Sequence, residues 1–168
     1  MHDLARWLEE SAPVAALRDL PWSYPALECA HLLGISLLLG GAALFDLRLL
    51  GAFPGLPLPV ARQTLLPAAR AGFGLAAVTG LALFALSARD YLDNPAVTVK
   101  LLLLAAAGLN VALFHTGAGR AAARAASRPD RAVEPSTTRP SRVVAGHAVA
   151  SLLLWTAVLV AGRLIAYL

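Results

Sequence analysis

The sequence predicts an all-α integral membrane protein, a four-transmembrane-helix bundle with a short N-terminal amphipathic interfacial helix. Three observations predict it. Four apolar runs each approach the ~20 residues that a helix needs to cross a hydrocarbon core. Only 14% of the 168 residues are charged and 58% are hydrophobic, whereas a soluble domain carries about 25% charged residues. Finally, the arginines gather in the connectors between apolar runs. That is the distribution of a cytoplasmic membrane face rather than of a nucleic-acid surface, despite a sequence pI near 10.0.

Residues 3–20 read as one or two short amphipathic helices lying on the membrane. Leu4, Trp7 and Leu8 fall on one side, with Arg6, Glu9 and Glu10 elsewhere, and Val14 and Leu17 continue the apolar stripe. Ser11 suits a cap, with Pro13 in the first turn after it. Met1 to Glu10 lacks a basic region followed by a long apolar core, so no cleavable signal peptide is expected. Trp22 and Tyr24 sit beside prolines at the expected interface, where amphipathic rings are favoured.

The first span is expected over 26–47, with Gly34, Gly40 and Gly41 permitting close approach of another helix or a flat cofactor. Gly51 to Pro59 is a Gly/Pro-rich connector that cannot continue a helix. The second span is expected over 66–88, with Pro67 in its first turn, followed by a polar turn from Arg89 to Pro95. The third covers 96–115 and holds Lys100, Asn110 and His115. The stretch 116–142 is arginine-rich and reads as a mobile cytoplasmic loop. The fourth span covers 143–164 and holds His147, Ser151, Trp155 and Arg163. The whole chain, 1–168, reads as one membrane domain. The first and third connectors are the basic ones, so the positive-inside rule places both termini outside, periplasmic in a bacterial inner membrane.

Ionisable groups inside a bilayer are costly and usually face a bundle interior. Alternate spans run in opposite directions, so their depths can be compared at 1.5 Å per residue. The fifteen positions from His31 to Asp46, or from Lys100 to His115, cover about 22 Å. Glu28, His31, Lys100 and Arg163 therefore converge near the outer face, and Asp46, His115 and His147 near the inner face. In the outer layer Glu28 can pair with Lys100 or Arg163, and these three are the candidate catalytic residues. His31, one turn deeper, is a candidate metal or haem ligand or a proton acceptor. In the inner layer His115 and His147 can face each other across the third and fourth helices. Two histidines at matching depth on neighbouring helices is the arrangement a b-type cytochrome bundle uses to hold haem. The plainer alternatives are an interfacial salt-bridge network outside and solvated interfacial histidines inside.

Cys29 is the sole cysteine, which excludes an intrachain disulfide and a Cys-based metal cluster. The chain has no phosphate loop, no Gly-x-Ser-x-Gly elbow, no His-Glu-x-x-His and no Cys-x-x-Cys, which argues against a hydrolase or nucleotide enzyme.

The set Trp22-x-Tyr24-Pro25-x-x-Glu28-x-x-His31-x-x-Gly34, Phe45-Asp46-x-Arg48, Lys100, Asn110-x-x-x-Phe114-His115 and Ser151-x-x-x-Trp155, ending Gly162-Arg163-Leu-Ile-Ala-Tyr167, resembles an uncharacterised bacterial family of small four-helix membrane proteins. A histidine early in the first span and a lysine opening the third also distantly resemble the CopD copper-resistance proteins and the HemJ-type protoporphyrinogen oxidases. The second likeness implies bound haem and a functional His–Lys pair, here His31 and Lys100.

The expected function is a haem-binding membrane redox protein, with haem b held by His31, His115 or His147 and electron transfer in the bacterial inner membrane. A haem-dependent oxidoreductase is one form this can take. Expected partners are the lipid bilayer, a quinone or a redox protein, and a second copy of the chain, with no nucleic acid. The alternatives are a CopD-like copper-handling protein using the same histidines as metal ligands, and a non-redox accessory subunit.

Overall fold

The structure, a computed structural model, describes residues 2–117, 141–165 and 167, without the side chains of His2 and Leu4. The described residues form seven helices and no strand: α1 (His2–Glu9), α2 (Ala12–Arg18), α3 (Ser23–Leu49), α4 (Leu58–Leu86), α5 (Ala88–Leu92), α6 (Pro95–Thr116) and α7 (Arg142–Leu164). The expected mobile loop lies almost wholly outside them.

Four of these helices, α3, α4, α6 and α7, are long and apolar enough to cross a membrane. Their outward surfaces carry exposed Phe73, Leu81, Leu102 and Leu153. Contiguous apolar surface on that scale marks contact with a non-aqueous partner, and a bilayer supplies it.

Local chemistry sets the helix ends. Asn94 caps α6 by accepting from the Ala96 amide at 2.9 Å, with Pro95 in the first turn, where its missing N–H is not needed. Ser141 caps α7 by accepting from the Val144 amide at 3.3 Å. After α3 the chain turns through Gly51 at φ +100°, a conformation that glycine adopts without steric penalty.

Two boundaries differ from expectation. Helix α4 starts at Leu58 rather than at residue 66, so Pro67 lies in its interior. Proline cannot donate to the carbonyl four residues earlier, which leaves that of Gln63 without its helical partner. The polar residues Arg62, Gln63 and Thr64 disguised this first portion as connector. At 29 residues α4 is about 43 Å long, well beyond a hydrocarbon core of about 30 Å, so its polar start has room outside. The expected polar turn after α4 contains the short helix α5.

Helix α1 docks on α5 and on the end of α4. Its buried residues include Ala5 and Glu9, whereas Trp7 faces outward. Glu9 accepts from the Arg89 backbone amide at 2.9 Å and from its guanidinium Nε at 2.7 Å. This holds Glu9's carboxyl below the usual carboxylate range, chiefly through the backbone bond.

The bundle is assembled from two tight pairs. Helix α3 packs along α4, α6 packs along α7, and α3 joins the pairs by packing on α7. Small residues form the first seam, with Gly34 and Gly41 of α3 lying directly against the α4 backbone. Between apolar helices in lipid, such close van der Waals packing replaces the hydrophobic drive. Leu38, Ala69, Ala107 and Trp155 form the mid-bundle core, and Phe45, Leu49, Ala61, Val144 and Ala148 form the core at one end.

Candidate functional site

At one end of the bundle, His31 of α3 points at α4. Its Nδ1 lies 3.0 Å from Thr79 Oγ1. The Thr79 hydroxyl donates to the Leu75 carbonyl at 2.7 Å, so its single hydrogen is already used. Thr79 therefore accepts, His31 Nδ1 carries the proton, and Nε2 keeps its lone pair. Gly80 makes room for the ring, since a Cβ there would stand 2.9 Å from His31 Cε1.

Lys100 of α6 extends over Gly162 of α7, where a Cβ would meet its Nζ at 3.6 Å. Its charge acts electrostatically on His31. The Tyr91 phenol is pushed up first by burial, then by Tyr24, with smaller effects of Asp90 and Glu28.

The expected outer ionic unit is not assembled. Glu28 is exposed on the side of Tyr91 and forms no ion pair with Lys100 or Arg163. Arg163 is exposed as well, and its Nη2 donates to Tyr167 Oη at 2.8 Å, with the guanidinium 5.0 Å from that ring's centre. Both sit near helix ends, where water or headgroups solvate them, so neither needs a buried counter-charge.

At the other end, His147 of α7 meets Asn110 of α6. Asn110 Nδ2 donates to the His147 backbone carbonyl at 3.1 Å, and His147 Nδ1 lies 2.8 Å from Asn110 Oδ1. A carbonyl can only accept, which fixes the amide orientation, and Oδ1 can only accept, which places the proton on Nδ1. Here too Nε2 keeps its lone pair.

His115 and His147 do not face one another. Asn110 faces α7, and five residues further along an α-helix is about 140° round it. His115 is accordingly exposed, with Nδ1 donating to its own helix at the Val111 carbonyl, 2.9 Å away. Phe114 stands between the two imidazoles, its ring centre 5.8 Å from that of His115 and 5.9 Å from that of His147.

Asp46, the third member of the expected inner layer, is buried against α7. The Ser151 hydroxyl of α7 lies beside its carboxyl. His147, Ser151 and Trp155 are successive fours on one face of α7, so Ser151 lies one turn from the His147–Asn110 clamp. Among the described residues no three His, Cys, Asp or Glu side chains gather as a cage for a metal ion. Sequence reasoning missed Thr79 as the partner of His31, and passed over Asn110 and Ser151 as working groups.

No family model matches this chain, and no match to it is found among curated proteins or solved structures.

Proposed function

We propose that this chain is a haem-binding redox protein of the bacterial inner membrane, with His31 and His147 as the candidate axial ligands. One observation carries the reading. Each of these histidines, in the span of a membrane helix, has its Nδ1–H engaged by a fixed partner and its Nε2 lone pair left available. Metal-ligating histidines are oriented this way, with the second nitrogen donating to an anchoring acceptor. A haem needs only one or two protein donors, which these residues can provide singly. A copper ion held by protein alone needs more donors in one place, and soft Cu(I) sites favour Cys and Met.

Bound haem supplies one-electron exchange at its iron. The chain's own contribution is to hold each imidazole in one tautomer and, at His31, to set the Lys100 ammonium close by. Lys100 can attract an anionic or reducible group, such as a quinone head or a porphyrin carboxylate. The likeness of His31 and Lys100 to the functional pair of the HemJ-type oxidases supports the same reading. Glu28 and Arg163 are left with interfacial roles. His115, exposed and turned onto its own helix, is the weakest of the three ligands.

The test is the visible spectrum of the protein purified in detergent after haem-replete expression. A Soret band is expected, reduced in His31→Ala or His147→Ala and retained in His115→Ala. Bound copper without a Soret band would move the assignment to metal handling, and neither would leave an accessory subunit. Periplasmic termini are tested with Thr116→Cys in a Cys29→Ser background, which should react with an impermeant maleimide from the cytoplasmic side only.

A further inference from the structure

Asp46 lies in the α3–α7 seam, within one turn of the end of α3, and is only 7% exposed. Its Oδ2 has no hydrogen-bond partner among the described residues. That oxygen is itself sealed from solvent, so the carboxyl meets open space through Oδ1. The carboxyl lines a cavity of about 110 Å³, together with Leu39, Ala43, Trp155 and Thr156. That space is large enough for a few water molecules, and the carboxyl and the Thr156 hydroxyl are the polar groups on its wall.

An ionised carboxylate in this position would need a counter-charge. Among the described residues none is seen to pair with it from the elements packed on α3. On α4, Arg62 and Arg70 are exposed. On α7, Arg142 is exposed, Arg163 lies near the far end of the helix, and His147 Nδ1 is committed to Asn110. On α2, Arg18 donates to the Leu86 carbonyl. Arg48, two residues further along α3, donates through Nε to the Leu56 carbonyl. A sodium ion is poorly served as well, because the cavity wall offers it one carboxyl, one hydroxyl and otherwise apolar or N–H groups.

We propose that Asp46 is a reversible proton-binding site, a carboxyl that rests neutral and exchanges its proton with water in the α3–α7 cavity. In the neutral form the proton sits on Oδ1, the oxygen that meets the cavity, and donates to cavity water. On release the proton passes to that water and leaves a carboxylate with the Ser151 hydroxyl beside it. The site does not depend on bound haem and is tested without it.

The experiment is infrared difference spectroscopy of the full chain in detergent or liposomes. At neutral pH a protonated-carboxyl C=O band is expected above the amide bands. It should shift on deuteration and on ¹³C-carboxyl labelling of aspartate, be lost in Asp46→Asn, and bleach reversibly as pH is raised. Ser151→Ala, which leaves the carboxyl in place, should move the band rather than remove it. That keeps the test open should Asp46→Asn fold poorly. Dicyclohexylcarbodiimide, an apolar reagent for protonated carboxyls, should add once per chain at Asp46. Absence of the band at neutral pH would overturn the proposal. So would a band that persists at every pH the folded protein tolerates, which means a fixed neutral acid. Loss of the band on adding sodium at constant pH would also overturn it, in favour of a cation site.

Discussion

Gly72 tests the packing that positions His31. A Cβ at Gly72 would stand 2.5 Å from the Leu38 amide nitrogen, 2.7 Å from the Gly34 carbonyl oxygen and 2.8 Å from Leu37 Cβ. Two of these three atoms are backbone and cannot swing aside. Relief requires α3 and α4 to part by about 1 Å, and a gap of that size forfeits a quarter to a half of each dispersion contact along the seam. Overpacking of this kind costs about 1–3 kcal/mol. Against it stands the helix preference of alanine over glycine, about 1 kcal/mol. Gly74 is the matched control on the same helix, since a Cβ there meets nothing within 4 Å. The propensity gain is common to both variants and cancels in their difference. Gly72→Ala should therefore be less stable than Gly74→Ala by about 1–3 kcal/mol. The assay is unfolding by denaturing detergent in a Trp7→Phe, Trp22→Phe background, followed by the emission of Trp155, which is 9% exposed and packed in the mid-bundle core. Equal stability of the two variants would refute a close-packed α3–α4 seam.

Three further outcomes follow from the same geometry. Asn110→Ala strips partners from both the His147 Nδ1–H and the His147 carbonyl, and should destabilise the protein by roughly 1–3 kcal/mol in the same assay, with Asn110→Gln recovering little because its longer side chain misplaces the amide. Gly80→Ala should displace the His31 ring, which a Cβ would approach to 2.9 Å at Cε1, and the readout is a changed His31 Cε1–H resonance with little loss of stability, because a side chain can move where a backbone cannot. The α1–α5 latch should be insensitive to pH through the ordinary carboxylate range: Glu9's carboxyl is depressed by Arg89, so the latch is intact above the unfolded value of Glu and is lost only as pH falls through the lowered one. The chemical shift of the Arg89 amide reports that transition, and a change already at mildly acidic pH would contradict it.

The four long helices were legible because length and apolar content state them directly, and the caps at Asn94 and Ser141 follow known start signals. The start of α4 was hidden because Arg62, Gln63 and Thr64 lower the local hydropathy without breaking the helix. Depth was legible too: Lys100 near the start of α6 does meet Gly162 near the end of α7, and His31 near the start of α3 meets Gly80 near the end of α4. Azimuth was the harder quantity. Placing His115 and His147 at one depth did not make them neighbours, because the face of α6 that meets α7 is set by Asn110 and Phe114.

The choice of polar partners has a physical reason as well. A search weighted by formal charge selects Glu28 and Arg163, yet those sit near helix ends where solvation is cheap and need no partner inside the bundle. The groups that orient the half-buried imidazoles are Thr79 and Asn110, and Ser151 stands beside Asp46. Each is a neutral hydroxyl or amide that a hydropathy average absorbs into an apolar run. A neutral partner can satisfy an imidazole N–H in a low-dielectric interior without bringing a second charge that must itself be desolvated. In a membrane bundle the informative signal is therefore a lone Thr, Ser or Asn on a helix face already lined with small residues, at the depth of a histidine or carboxylate on the neighbouring helix.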